Sequence, residues 1–158
     1  MPPHPFVGLY FQDLALGEEW ISPARTVTQA EISAFAGLSG DFNALHMDHV
    51  SAADGPFGEP VAHGLLGLSI ASGLGSHAPR VETMAFLGIV RWDFLKPIRI
   101  GATIRVATRV ESLEPKARGR RGLVTWHRRL LDQTDQVLQE GLTLTMVRGR
   151  PNEPGADS

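Results

Sequence analysis

The sequence predicts an α+β fold in which an antiparallel sheet packs around one apolar helix. The second half of the chain alternates apolar and polar residues over four segments, the period expected of half-buried strands. Residues 61–74 are instead apolar almost all round, which is typical of a helix buried on most sides. A length of 158 residues suits a single domain, and a 42% hydrophobic content is enough to fill its core.

The first half of the chain predicts one strand, one helix and a long loop. Residues 10–16 lead into a turn at Gly17, and residues 19–27 are expected to form a first strand. Thr28 and Glu31 have the spacing of a capping box, so we expect a helix from Gln29 to Leu38 that ends at Gly40. The polar segment 41–58 reads as a loop with one short helix near residues 50–53.

The apolar helix and the strands together define the expected architecture. The strands are predicted at 84–94, 103–110, 123–131 and 137–147, with turns at 114–122 and 132–135. Four consecutive strands with short connections predict an antiparallel meander. Because only a wrapped sheet can bury such a helix, the prediction is a hot-dog fold spanning residues 6–148. Residues 1–5 and 149–158 are expected to be disordered tails, since they can bury almost nothing.

Composition excludes several classes of function. The chain has no cysteine, which rules out disulfides, thiolate zinc sites and cysteine nucleophiles and fits a reducing cytoplasm. A net charge of -2 gives no reason to expect nucleic acid as a partner. The longest weakly polar stretch, residues 60–75, is shorter than the ~20 residues that a membrane span needs. We therefore expect a cytoplasmic protein without a membrane or nucleic-acid partner.

Two segments carry residues suited to proton transfer and to binding a carbonyl. Asp41, Asn43 and His46 lie within six residues, in the loop after the first helix. A carboxylate and an imidazole together can orient a water and move protons near neutral pH. In the second segment, Gly64 begins the apolar helix, and its backbone N–H can donate to a ligand carbonyl at the positive end of the helix dipole.

These two motifs resemble the MaoC-like dehydratases and (R)-specific enoyl-CoA hydratases. The match consists of Asp41-Phe42-Asn43-x-x-His46 followed by Ala62-His63-Gly64-Leu65-Leu66-x-x-Ser69, and the resemblance extends over roughly residues 10–148. The chain departs from the family at Ala44, where a proline is usual, which puts the rigidity of the loop in doubt more than its chemistry.

The resemblance implies a reversible hydration of a trans-2-enoyl thioester to an (R)-3-hydroxyacyl thioester, the reaction of a hydro-lyase. Asp41 and His46 would be the catalytic pair, and Gly64 would donate its N–H to the thioester carbonyl. Asn43 and Ser69 would support that pair by hydrogen bonds. The substrate would be carried by CoA or by an acyl carrier protein, and no cofactor or metal is implied. The resemblance also implies a dimer in which the sheet of one copy continues into the sheet of the other. A homodimer or a multiple of dimers is therefore expected.

Other interpretations of the same residues stay open at this point. Asp41 and Asn43 could serve only as turn residues, and His63 as a structural residue at the helix start. A metal site at His46, Asp48 and His49 lacks a convincing further ligand. The basic run of Lys116, Arg118, Arg120 and Arg121 is a solvated turn or a contact for CoA phosphates. At the level of function, a hot-dog thioesterase, a non-catalytic acyl-CoA-binding subunit and a pure interaction module are the alternatives.

Overall fold

The structure, a computed structural model, describes residues 8–151. Its six strands are β1 (Glu19–Ile21), β2 (Arg25–Thr26), β3 (Thr83–Phe94), β4 (Thr103–Lys116), β5 (Arg121–Leu131) and β6 (Val137–Arg148). Its four α-helices are α1 (Gln29–Ser39), α2 (Ala44–Met47), α3 (His49–Ala53) and α4 (Gly64–Gly75). None of the helices in this part of the chain is long and apolar enough to cross a membrane.

All strands join one antiparallel sheet, in the order β1-β4-β5-β6-β3, with β2 also pairing with β4. Helix α4 packs on one face of this sheet through Leu66, Ile70 and Ala71. The strand residues in the same core cluster include Val106 and Leu130. The predicted α+β class and hot-dog fold are confirmed.

The predicted meander of four consecutive strands is wrong in one respect. Strands β4, β5 and β6 form a meander, but β3 pairs with β6 and not with its sequence neighbour β4. The segment 95–102 covers the three strand spacings between β3 and β4, about 14 Å, which eight residues span easily. The segment is anchored to β6, because the N–H groups of Leu95 and Lys96 donate to Leu138 O at 2.9 and 3.0 Å. As a result β3 lies at an edge of the sheet, and this segment passes the start of α4.

The predicted first strand, 19–27, is interrupted. It forms β1 and β2, separated by residues 22–24, because Pro23 has no N–H to donate to the ladder. Ser22 keeps the contact with β4, since its N–H donates to Val106 O at 2.8 Å and its Oγ accepts from Val106 N at 2.9 Å. The predicted first strand therefore forms two short strands, β1 and β2, which both pair with β4.

The boundaries of α1 follow the predicted signals closely. The Thr28 N–H donates to Glu31 Oε2 at 2.9 Å, as a capping box requires. Gly40 ends the helix with φ of 79°, a left-handed conformation that glycine adopts without strain. The loop that follows contains two short helices, α2 and α3, where one was predicted.

Most of the two predicted tails lies outside the described residues. Gly149 and Arg150 are within them and contact the domain. The Gly149 N–H donates to Arg120 O at 2.8 Å, and the Arg150 N–H donates to Gln12 Oε1 at 2.8 Å. These two residues therefore belong to the packed part of the chain.

Candidate active site

The loop after α1 is shaped by its own polar side chains. The Asn43 N–H donates to Asp41 Oδ1 at 3.2 Å, which closes an Asx turn. Asn43 Oδ1 then accepts from the Leu45 N–H at 3.0 Å and caps α2, the short helix that carries His46. Asn43, predicted to support the catalytic pair, thus contacts the backbone of the loop. It fixes where α2, the helix that carries His46, begins.

The His46 ring is buried and held in one tautomer. Its Nδ1 lies 2.7 Å from Val61 O, and since a carbonyl can only accept, Nδ1 carries the hydrogen. In the neutral ring Nε2 therefore has its lone pair free. That Nε2 lies 4.0 Å from Asp41 Oδ2, too far for a direct hydrogen bond, while the Asp41 side chain is 52% exposed. A water between the two atoms can hydrogen-bond to both.

His63 fixes the positions of both members of this pair. Its ring stacks on His46 with centroids 3.9 Å apart, and its Nε2 donates to Asp41 O at 2.9 Å. The ring of Phe35 also contacts the His63 ring, in an edge-on arrangement with ring centroids 5.0 Å apart. The sequence indicated a structural residue here, and its contacts are those of a positioning residue at the site.

Helix α4 presents an open N-terminus beside His46. Gly64 is its first residue, and the side chain of the preceding His63 makes no capping hydrogen bond. Among the described residues, no acceptor is found for the Gly64 N–H, one of the donors that a helix start leaves unpaired. A Cβ at Gly64 would lie 2.9 Å from the ring of Phe94, so this ring passes close over the helix start. The donor is thus available to a ligand atom.

Gln139 and Phe94 belong to this environment and were missed by sequence reasoning. Gln139 is 1% exposed, and its Nε2 donates to Gly64 O at 3.1 Å. Its Oε1 accepts from Trp92 Nε1 at 3.0 Å, which fixes the amide orientation. Both residues come from strands distant in sequence. The only signal for Gln139 is a polar residue in the inward register of β6, shared with Thr143 and Val147.

A cleft of about 240 Å³ brings His46 and Gly64 together. Its walls are mostly apolar and come from the α2–α4 region and from the crossing segment 95–102. The lining residues are Leu45, His46, Phe57, Val61, Ala62, Gly64, Phe94, Leu95, Lys96, Pro97, Ile98 and Gln139. A larger depression adjoins it, since Phe57, Lys96 and Pro97 line both. The arrangement can bind a carbonyl at Gly64 and place a proton-transfer group at the neighbouring carbon atoms.

Ser69 lies away from this cleft. Its side chain points to its own helix, where Oγ donates to Leu65 O at 2.8 Å. It lines a separate shallow depression together with Arg25 and Gly73. Within one copy of the chain, the structure does not bring Ser69 to the pair that it was predicted to support.

The basic run at 116–121 is also remote. It connects the end of β4 to the start of β5. The cleft is lined by Phe94 and Gln139, and Gln139 pairs with Leu130 near the other end of β5, where the start of β4 also lies. The length of β4 separates these two ends by roughly 40 Å. The run is therefore not a contact for a ligand in the cleft of the same copy.

Asp41, His46 and His63 also form a group that could supply three metal ligands. Their ligand atoms lie within 4.8 Å of one another. The two rings stack with an interplanar angle of 28°, so their nitrogen lone pairs run nearly side by side. A tetrahedral ion needs lone pairs that converge at about 2.0–2.1 Å. The geometry suits proton transfer better than metal binding.

Comparison with known proteins gives a consistent result. A family model described as MaoC like domain matches residues 13–128. A 3-hydroxybutyryl-CoA dehydratase of Methylorubrum extorquens is 31% identical, over 94% of this chain and 88% of its own length. An (R)-specific enoyl-CoA hydratase of Rhodospirillum rubrum is 31% identical, over 89% of this chain and 93% of its length.

Two further comparisons differ in how much of each protein they cover. Protein MaoC of Klebsiella aerogenes is 41% identical over 65% of this chain, and the match spans only 30% of that longer protein. The solved structure of a monoamine oxidase regulatory protein from Archaeoglobus fulgius superposes with a TM-score of 0.84 at 32% identity. It covers 92% of this chain and 98% of that one.

Proposed function

Because this chain belongs to the MaoC-like domain family, we propose that it catalyses the reversible hydration of a trans-2-enoyl thioester to a (R)-3-hydroxyacyl thioester. The observation that supports the proposal is that one cleft is lined both by His46 and by Gly64, the residue at the open N-terminus of α4. Relatives named as hydratase and dehydratase, matched over most of their length, support the same reaction class.

In the proposed mechanism, Asp41 and His46 act as a pair around one water. As the water oxygen bonds to Cβ, one member of the pair takes a proton from that water. The electrons of the double bond move toward the thioester oxygen, and a proton is delivered to Cα as the enolate-like state collapses. Since two coupled groups share these protons, we assign them to the pair and not to one residue.

The Gly64 N–H would hydrogen-bond to the thioester oxygen as negative charge develops there. Losing one donor of this kind typically costs about 10²–10³ in rate, so its contribution ranks with that of the pair. The dipole of α4 adds to the stabilisation because its positive end points at the same atom. Gln139 holds the Gly64 carbonyl and Phe94 covers the helix start, so both would position this donor.

The direct test is the loss of enoyl absorbance when the protein is mixed with trans-2-butenoyl-CoA. Asp41→Asn and His46→Gln should each remove most of the turnover, whereas Asp54→Asn and His49→Gln, exposed residues of the same types, should not. Identification of the product as the (R)-3-hydroxyacyl thioester completes the test. Unchanged rates in both site variants would refute the roles of Asp41 and His46.

The same reaction mixture separates the proposal from a hot-dog thioesterase. A thiol-reactive dye should detect no free CoA if water adds to the double bond. Release of thiol in step with substrate loss would establish hydrolysis instead. Binding of the thioester without any turnover would indicate a non-catalytic subunit.

For the carrier, we propose that Lys96 contacts its phosphates. This residue is exposed and lies on the wall shared by the cleft and the larger depression beside it. Arg99, which lines that depression, already pairs with Glu59. Lys96 is therefore the cation best placed to contact a carrier phosphate beside the cleft, whether the carrier is CoA or an acyl carrier protein.

We also propose that the chain forms a dimer through β3. This strand lies at the sheet edge and exposes large apolar side chains on both faces, Phe86 and Ile89 among them. Such an edge pairs readily with a second copy. Light scattering should therefore give twice the chain mass. Ile89→Lys should shift the protein to single copies, while Val50→Lys, at an apolar residue 82% exposed on α3, should not. A wild-type protein of single-chain mass would contradict this proposal.

A further inference from the structure

A second cavity, of about 550 Å³, lies at the other end of α4. The last turns of the helix line it with Ser72 and Gly75, and the sheet contributes residues from β3 to β6. None of the residues that line the His46 cleft lines this cavity. It is a separate feature to which the proposed reaction assigns no role.

The cavity contains a buried arginine, Arg128, that has no partner within residues 8–151. Val124, Trp126 and Leu130 point inward from β5, and Arg128 occupies the same register at 8% exposure. Among the described residues, Arg128 makes no ion pair, and its buried Nε finds no acceptor. Burial lowers the pKa of Arg128 to about 10, so it remains charged at neutral pH. A buried charge of this kind normally has a counter-charge.

Arg129, the next residue in β5, pairs with a carboxylate, as charged arginines in proteins commonly do. Arg129 faces the opposite side of β5, and its Nη2 donates to Glu19 Oε2 at 2.8 Å. The carboxylate in the cavity wall, Glu82, accepts from the Gly8 N–H at 2.8 Å and does not come within ion-pair distance of Arg128. The partner of Arg128 is thus not supplied by the cavity wall.

Two hydroxyls beside Arg128 are also free to donate. Thr108 Oγ1 is buried and has no hydrogen-bond partner among residues 8–151. Thr145 Oγ1 accepts from Trp126 Nε1 at 2.8 Å, which leaves its own hydrogen available. All three side chains line the cavity. Donors that outnumber acceptors in this way suit a ligand group that only accepts.

We propose that this cavity is a binding site for a carboxylate, with Arg128 as its principal ligand. A planar guanidinium matches the two oxygens of a carboxylate. Among the described residues that line the cavity, Arg128 is the buried cation, while His77 and Arg80 are exposed. One buried cation balances one negative charge, whereas a phosphate monoester brings about -1.5 to -2. Phe86 and Trp126 provide apolar wall, so the ligand is a carboxylate attached to a hydrocarbon chain.

Such a carboxylate has two possible sources. It is either the far end of an acyl thioester whose reactive end lies at Gly64, or a separate free acid. Ser72 lies eight positions after Gly64 in α4, about 12 Å along the helix axis. The first source rests on the proposed function, and the second does not.

The first experiment measures binding of octanoate and of octanamide to the full chain by calorimetry and by tryptophan fluorescence, since Trp126 lines the cavity. Octanoate should bind roughly tenfold or more tightly than the amide, because a charge-assisted hydrogen bond replaces a neutral one. Arg128→Met should remove that preference, and Arg129→Met should keep it. The comparison of the two ligands on the wild-type protein requires no variant to fold.

The second experiment compares hydration of octenoyl-CoA with that of an octenoyl-CoA bearing a terminal carboxylate. If the acyl chain supplies the carboxylate, Arg128→Met should lower kcat/KM roughly tenfold or more for the carboxylated substrate only. Equal effects on both substrates, with octanoate binding retained by the wild type, would assign the site to a free acid.

The site is refuted if octanoate binds no better than octanamide and Arg128→Met leaves both thioesters unchanged. A protein that hydrates no enoyl thioester would refute the proposed function alone, since the octanoate experiment decides the carboxylate site by itself.

Discussion

The two ends of helix α4 face opposite charge requirements. At Gly64 the helix leaves a backbone N–H open to a cleft, where a thioester oxygen would gain negative charge. At Gly75 the helix covers the guanidinium of Arg128, since a Cβ there would lie 3.1 Å from Arg128 Cζ. The macrodipole favours an anion at the first end and a cation at the second. One helix can therefore stabilise a developing negative charge at Gly64 and, at its other end, the cationic side chain that would bind a carboxylate.

The two ends also differ in the kind of polar group that is left unpaired. Around Gly64, Gln139 bonds to both Gly64 O and Trp92, and His46 and His63 each bond to a backbone carbonyl. The groups without a partner among the described residues are there the Gly64 N–H and His63 Nδ1, and around Arg128 they are Arg128 Nε and Thr108 Oγ1. A backbone N–H suits an oxygen that gains charge during a reaction, whereas an unpaired guanidinium suits a ligand that already carries negative charge.

The largest effect is expected from removing the donor at the first end. Gly64→Pro deletes the N–H but keeps the helix, because proline is well tolerated at the first helical position. His63 has φ of -57° and ψ of 135°, which a following proline accepts. We expect kcat for enoyl thioester hydration to fall about 10²–10³-fold relative to Gly64→Ala.

Gly64→Ala is the control in this experiment because it adds the same Cβ next to Phe94 and retains the N–H. The ring of Phe94 is 53% exposed and can turn aside, so this variant should keep most of its activity. Equal rates in the two variants would show that the Gly64 N–H does not contact the reacting thioester.

The next largest effect is expected on the free energy of unfolding, when Arg128 at the C-terminal end of α4 is replaced. Burial lowers the pKa of Arg128 to about 10, well below the ordinary value of an arginine, and each pKa unit corresponds to ~1.36 kcal/mol. The charged form is thus disfavoured in the fold, so Arg128→Met should raise the free energy of unfolding at neutral pH by about 3 kcal/mol. Urea unfolding at fixed protein concentration measures it, with Arg129→Met as the control.

The pH dependence of that difference has a definite sign. The depressed pKa means that the unfolded chain binds more protons than the folded one between about pH 10 and the ordinary pKa of arginine, so the wild type regains stability there as pH rises. The advantage of Arg128→Met should be constant below about pH 10 and shrink above it. A variant less stable than the wild type would show that the Arg128 side chain makes stabilising contacts.

Local signals explain which parts of the fold could be predicted. Thr28, Glu31 and Gly40 specify the limits of α1 within a few residues, because capping is decided by neighbours in sequence. Alternation likewise predicts the strands. Alternation does not say which strand lies beside which. The sequence therefore predicts β3 next to β4, whereas β3 pairs with β6 and the segment 95–102 crosses the sheet to reach β4.

The candidate site was predictable only where its residues are close in sequence. Asp41, His46 and Gly64 come from two short motifs, and the structure places His46 and Gly64 in one cleft. Gln139 reaches the same place through strand pairing, which no local pattern reveals. The inward register of Arg128 follows from the alternation of β5, but a charged residue there breaks the pattern and is not recognised as a site from sequence alone.

The smallest expected effect comes from two neighbouring glycines in the last turn of α4, Gly73 and Gly75. Replacing glycine by alanine inside a helix typically adds about 0.5–1 kcal/mol of stability. At Gly73 a Cβ meets nothing within 4 Å, so Gly73→Ala should gain that amount. At Gly75 the Cβ would lie 3.1–3.3 Å from the guanidinium of Arg128, which must shift by a few tenths of an ångström. Gly75→Ala should therefore gain less and weaken octanoate binding several-fold, as urea unfolding and calorimetry would measure. Equal gains in stability with unchanged octanoate affinity would mean that Arg128 does not need to lie against the helix backbone to bind its ligand.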